Sequence, residues 1–149
     1  MDLEQKVMAS LKEAMLAKNE AALRGLRAIK SAILLAKTSE GGNKELTGEQ
    51  EIQMLQKLIK QRKDSLAIFE QQGRADLAQK EIDEIAVIEK FLPQQLSSDE
   101  LKALIQKIIS ETGASGIKDM GKVMGMATKQ LAGKADNKAV SEVVKGLLS

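Results

Sequence analysis

Apolar residues recur every three or four positions along almost the whole chain, the spacing that turns one face of an α-helix inward. Leu3, Val7, Leu11, Ala14 and Met15 predict a helix over residues 3–18. Asn19 interrupts the pattern, and Leu23, Leu26, Ile29, Ile33 and Ala36 predict a second helix over 20–37. Residues 38–48 read as a loop, because Gly41-Gly42-Asn43 is strong turn chemistry. Thr47 and Gln50 have capping-box spacing and open the longest helix, which Gly73 stops just after Gln72. Its seam is Ile52, Leu55, Ile59, Leu66 and Phe69, with Arg62 standing at the missing heptad step. A fourth helix over 75–91 carries Leu77, Ile82, Ile85, Ile88 and Phe91.

Leu92-Pro93 ends that run, since proline lacks a donor and restricts the residue before it. Residues 94–96 read as a hinge. Ser97 and Glu100 are a second capping-box pair, opening a helix through Leu101, Leu104, Ile105 and Ile108 that stops at Gly113. A helix over 117–131, closed by Gly133, follows, and Asp136 caps a last one whose stripe is Val140, Val143, Val144, Leu147 and Leu148. The expected fold is all-α, with an N-terminal helical domain over 1–93 and a small C-terminal three-helix domain over 94–149. The second has roughly 55 residues, near the lower size limit for independent folding.

The helix over 117–131 has an unusual second face. Ile117, Met120, Val123, Met124, Ala127 and Leu131 share its apolar side. A sector roughly 100° wide on the other side gathers Lys118, Gly121, Lys122, Gly125 and Lys129. Each glycine inside a helix costs about 1 kcal/mol relative to alanine, and these two do not face the core. Lacking a Cβ, they leave bare backbone between three ammonium groups, a surface suited to a closely approaching phosphate chain. A second reading is open: the glycines admit a neighbouring protein element and the lysines are simply solvated. G-x-x-x-G alone does not decide between them. Lys134 and Lys138 extend the basic patch.

Charge changes the picture only through its distribution. The net charge of the 149 residues is +2. Residues 1–93 hold 15 basic and 15 acidic side chains, whereas 113–149 hold 6 lysines against 3 acids, so the positive excess lies on the lysine–glycine stretch. Arg24, Arg27 and Lys30 stand at helical i, i+3 steps; they read as a solvated or ion-paired edge, with a weaker phosphate patch as the other reading. Lys57, Lys60, Arg62 and Lys63 scatter around their helix and read as solvated.

Lys118-Asp119-Met120-Gly121-Lys122-Val123-Met124-Gly125, followed by Gly133-Lys134-Ala135-Asp136, resembles the C-terminal tail of the B subunit of tRNA-dependent Asn/Gln amidotransferases. The remainder looks like the free-standing proteins sharing that tail, the GatB/YqeY family, through Leu26–Ile33, Lys60–Ser65 and Glu84–Leu96. One departure is Asn137, where the family more often has glycine; asparagine also tolerates turn geometry. The resemblance implies a module that handles tRNA or another structured RNA, in company with an amidotransferase or synthetase component. That accords with an RNA-facing role for the face read above, Lys118, Gly121, Lys122, Gly125 and Lys129 with Lys134 and Lys138, and the resemblance further implies a link to carbon–nitrogen ligase chemistry with glutamine as amido donor.

The side-chain inventory argues against catalysis in this chain. There is no His, Cys, Tyr or Trp, which removes the commonest general base, the thiolate nucleophile and the usual transition-metal ligands. No phosphate-binding or dinucleotide fingerprint occurs, and no catalytic residue, metal or cofactor is expected. Glu81, Asp83 and Glu84 cluster on the fourth helix but read as surface charge. The cysteine-free chain suits a reducing, cytoplasmic setting, and no apolar run approaches the roughly 18 residues a membrane span needs. With only Phe69 and Phe91 as aromatics, base stacking is implausible, so RNA recognition would go through phosphates and 2′-hydroxyls. The competing reading is a protein adaptor.

Overall fold

The computed structural model describes residues 2–39 and 45–149. Among them are seven α-helices and no strand: α1 (Leu3–Leu16), α2 (Glu20–Thr38), α3 (Gly48–Gln71), α4 (Ala75–Glu89), α5 (Ser98–Thr112), α6 (Met120–Gln130) and α7 (Asn137–Leu148). A single 3-10 turn, Ile117–Asp119, precedes α6. The helices gather into two compact units, Met1–Leu92 and Pro93–Ser149, each with its own aliphatic core. The turn expected at Gly41-Gly42-Asn43 lies outside the described residues.

Caps define the helix starts of the first unit. Asp2 and Gln5 form a capping box on α1. Asn19 does more than interrupt: its side chain accepts from the Ala22 amide at 3.1 Å and starts α2. Thr47 and Gln50 satisfy each other's amides at 3.2 and 2.9 Å, the box read from the sequence. In the first unit α2 packs mainly against α1 and α4, and α3 runs along α4. Val7, Ile29, Leu55 and Ile88 are wholly buried between them.

Two features lock α2 and α3 onto α4. Gly25, buried on α2, faces Val87: a Cβ there would lie 2.8 Å from both Cβ and Cγ1 of that valine. No side chain fits between, so the helices meet at backbone distance. Beside this contact, Glu84 of α4 sits between two arginines. Arg62 Nε donates to one carboxylate oxygen at 3.1 Å, and Arg24 Nε lies 3.4 Å from the other. Arg62 also donates to the Leu58 carbonyl at 3.1 Å. The heptad gap on α3 is thus filled by a cation that an acid of the neighbouring helix holds. The Arg24 side of the basic edge is ion-paired, while Arg27 and Lys30 are exposed.

Several expected details differ. Helix α4 ends at Glu89 rather than 91, and Leu92 is buried beyond it. Ile82 is 43% exposed, not core, because it stands at the margin of the arc that Ala78, Ile85 and Ile88 bury. In the second unit Leu104 lies likewise at the edge of the α5 stripe and is exposed. Ser97 accepts from the Glu100 amide at 3.2 Å, but the reciprocal half of the box is replaced by a side-chain bond from Ser97 Oγ to Glu100.

The largest correction concerns the helix expected over 117–131. Its first turn is 3-10, and the α-helix starts at Met120. Asp119 causes this: its carboxylate accepts from the Ser115 amide at 3.0 Å while its own amide donates to Gly116 at 2.9 Å, tightening the entry. Ile117 is consequently half exposed instead of joining the core. Val123, Ala127 and Leu131 are buried as expected, against Ile105 and Ile108 of α5 and Val140 and Val144 of α7.

The Gly25 contact yields a direct test. Gly25→Ala should destabilise the first unit by about 1–3 kcal/mol through overpacking against Val87, although alanine favours helix elsewhere. Urea unfolding of the variant, in the wild-type and in the Val87→Gly background, checks it: with both Cβ and Cγ1 of residue 87 removed, Gly25→Ala should cost little.

Candidate nucleic-acid interface

Helix α6 presents two chemically distinct sides. Val123 and Ala127 are completely buried, and Met120, Met124 and Met126 are half-buried beside them. Gly121, Lys122, Gly125 and Lys129 all lie on the exposed side. A Cβ built at Gly121 or Gly125 would meet nothing within 4 Å. No element of this chain fills the strip they leave, so among the described residues the glycines seat no internal neighbour. The helix tolerates them because its apolar side is held from both flanks by α5 and α7.

The candidate cations divide by the element that carries them. Lys122 and Lys129 stand on α6 proper, whereas Lys118 belongs to the 3-10 turn and so departs from the regular 100° placement. Lys134 projects from the α6–α7 connection and Lys138 from the first turn of α7. All five are exposed. Among the described residues none enters an ion pair. Lys122 Nζ reaches only the Thr112 carbonyl, at 3.4 Å, near the C-terminal end of α5, where a cation is favoured. Two acids border the patch, and both are engaged locally: Asp119 accepts from Ser115, and Asp136 caps α7 by accepting from the Lys138 amide at 3.0 Å.

The connection carrying Lys134 is closely held. Gly133 is buried with φ +77, a left-handed conformation that favours glycine. Its carbonyl accepts from Gln95 Nε2 at 2.6 Å, and the Lys134 carbonyl accepts from the Leu96 amide at 2.9 Å. Periodicity could not reveal these bonds, since the partners are separated by 38 residues.

Elsewhere the chemistry is structural. Of the acidic trio on α4, Glu84 is held by arginines and Asp83 accepts from Gln79 at 2.8 Å. Glu81 Oε2 is buried without a hydrogen-bond partner, and desolvation, reinforced by the Glu84 charge and opposed by Arg62, pushes the Glu81 carboxyl above its ordinary value. No group of three potential ligands able to hold a metal ion occurs among the described residues. No described helix is long and apolar enough to cross a membrane. A groove of about 540 Å³, missed by sequence reasoning, lies between α2 and α3, with Leu35, Met54 and Leu58 in its wall.

Comparison with known proteins adds kinship. A family model described as Yqey-like protein matches residues 4–148. Altered inheritance of mitochondria protein 41, mitochondrial, from Kluyveromyces lactis is 33% identical over 138 residues, spanning 91% of this chain and 70% of its own length. The protein of the same name from Clavispora lusitaniae is 32% identical over 123 residues, spanning 81% and 69%. That from Pyrenophora tritici-repentis is 28% identical over 144 residues, spanning 94% and 77%.

Two stability measurements follow from this geometry. Gly125→Ala should stabilise the protein by up to about 1 kcal/mol, because the helix gains propensity and the methyl meets open space; thermal melts check the sign, opposite to that at Gly25. Glu81→Gln should raise stability at pH 7. The raised carboxyl favours the folded state fully only below the ordinary glutamate pKa of about 4.3 and loses that contribution as pH rises through its folded value. The gap between variant and wild type should therefore close on acidification, as denaturant melts at pH 7 and pH 4 would show.

Proposed function

The chain belongs to the YqeY-like family, and on that premise we propose that its C-terminal unit is a non-catalytic module that holds structured RNA, transfer RNA foremost. The observation that carries this reading is the pair Gly121 and Gly125, one in the first turn and one in the middle of α6, both facing open solvent. Gly125 lowers helix stability by about 1 kcal/mol, and among the described residues no internal packing accounts for either glycine. A close-approaching backbone does. The exposed lysines at 118, 122, 129, 134 and 138, which enter no ion pair among the described residues, supply the charge that such a backbone needs.

The manner of recognition follows from what the chain lacks. It has no Tyr or Trp, and both phenylalanines are half-buried, so bases have no platform on which to stack. Contacts to phosphates and 2′-hydroxyls remain, giving weak sequence preference. Any carbon–nitrogen ligase step belongs to a partner, since the chain offers no nucleophile–base pair. The cysteine-free sequence suits a reducing compartment, the cytoplasm in this proposal, although the relatives are named for mitochondria.

A second reading, a protein adaptor serving a synthetase or amidotransferase component, is favoured by the partly apolar groove between α2 and α3. Ionic strength separates the two, because phosphate contacts weaken steeply with salt and an apolar groove does not.

Titration of a labelled transfer RNA at several salt concentrations provides the test. Replacing Lys122 or Lys129 by alanine should weaken binding evenly across RNA sequences and flatten the log–log salt slope by about 0.7–0.9 per lysine. Gly125→Leu should abolish binding while keeping the fold. Affinity that ignores both salt and these variants would remove the RNA reading in favour of the adaptor.

A further inference from the structure

We propose that Gln95 is the positioning residue for the loop cation of this surface, holding Lys134 where it can act together with Lys129 and Lys138; the inference rests on the RNA reading above. Lys129 and Lys138 stand on regular helices, so the backbone of α6 or α7 sets their positions. Lys134 has no helix beneath it. Its placement comes from three hydrogen bonds made by the connection. The Lys134 amide donates to the Leu131 carbonyl at 2.9 Å, tying it to the end of α6. Its carbonyl accepts from the Leu96 amide at 2.9 Å, and the preceding Gly133 carbonyl accepts from Gln95 Nε2 at 2.6 Å.

The last two bonds come from one short strap, and Gln95 is its fastening point. The same Nε2 also donates to the Pro93 carbonyl at 2.9 Å, so one side-chain amide bridges the start of the strap to the loop. Leu96 then packs against the core of the unit. Both loop carbonyls lie at or beside a residue with left-handed backbone, where no helical amide can reach them. Without the strap they would turn to water and the loop would sample other conformations. A cation on a mobile loop must be ordered when it binds, which weakens binding without removing any charge.

That distinction sets the experiment, performed on the full chain with a labelled transfer RNA transcript. Gln95 is exposed and only its side-chain bonds are lost, so Gln95→Ala should lower the melting temperature by a few degrees at most and leave the protein folded. Binding should weaken by about fivefold, the typical worth of one net hydrogen bond, while the salt slope stays that of the wild type. Lys134→Ala, by contrast, should flatten the slope. In the Lys134→Ala background, Gln95→Ala should have no further effect, because the cation it positions is gone. Wild-type affinity in Gln95→Ala, or an equal loss in both backgrounds, would overturn the positioning role while leaving the RNA reading intact. Wild-type protein whose RNA affinity is insensitive to salt and to Lys134→Ala would overturn both, and the lysine variant alone reveals that case.

Discussion

Helices α2 and α4 approach so closely at Gly25 that no Cβ fits against Val87, and the polar organisation of the first unit depends on that approach. It brings Glu84 within reach of Arg24 on α2 while Arg62 on α3 meets the same carboxylate. An arginine can then occupy a seam position on α3 without leaving an uncompensated charge in a partly buried place. A chain with two phenylalanines and no other aromatic has few large side chains with which to fill gaps. Close backbone contact and one shared carboxylate take their place.

Glycine serves the opposite end in the second unit. Gly121 and Gly125 have nothing above them, so the space that Val87 fills at Gly25 is left for a molecule outside the chain. The two situations cannot be told apart by composition, because both are single glycines inside amphipathic helices. What separates them is the side of the helix: Gly25 stands among buried residues of α2, whereas Gly121 and Gly125 stand opposite Val123 and Ala127. The exposed basic surface is therefore a consequence of how α5 and α7 claim only one side of α6. Its cations come from four separate elements (the 3-10 turn, α6, the connection and α7), each anchored by a different local device.

Family membership and the basic surface are independent observations. The kinship runs from residue 4 to residue 148, so it covers the groove of the first unit as well as the lysines of the second. The five exposed lysines lie wholly in the second unit. The groove between α2 and α3 keeps a protein partner in view.

Helix content, the end of a helix ahead of Leu92-Pro93 and the caps at Thr47, Ser97 and Asp136 were legible in the sequence because they are local. A 3.6-residue repeat, a proline and a Ser, Thr or Asp before an apolar run act through neighbours in the chain. The exposed glycine face was legible for the same reason, since its residues lie on one short helix. The 3-10 entry at Ile117 was not, because it depends on the Asp119 side chain turning back to Ser115. Nor was the fate of Arg62, which needed Glu84 from another helix, or the hold of Gln95 on Gly133 across 38 residues. Ile82 and Leu104 satisfy the helical repeat yet remain exposed, because a repeat states which side is apolar but not how wide an arc the neighbouring helices cover. Sequence determined the elements; tertiary packing decided which of their edges were covered and which polar groups met.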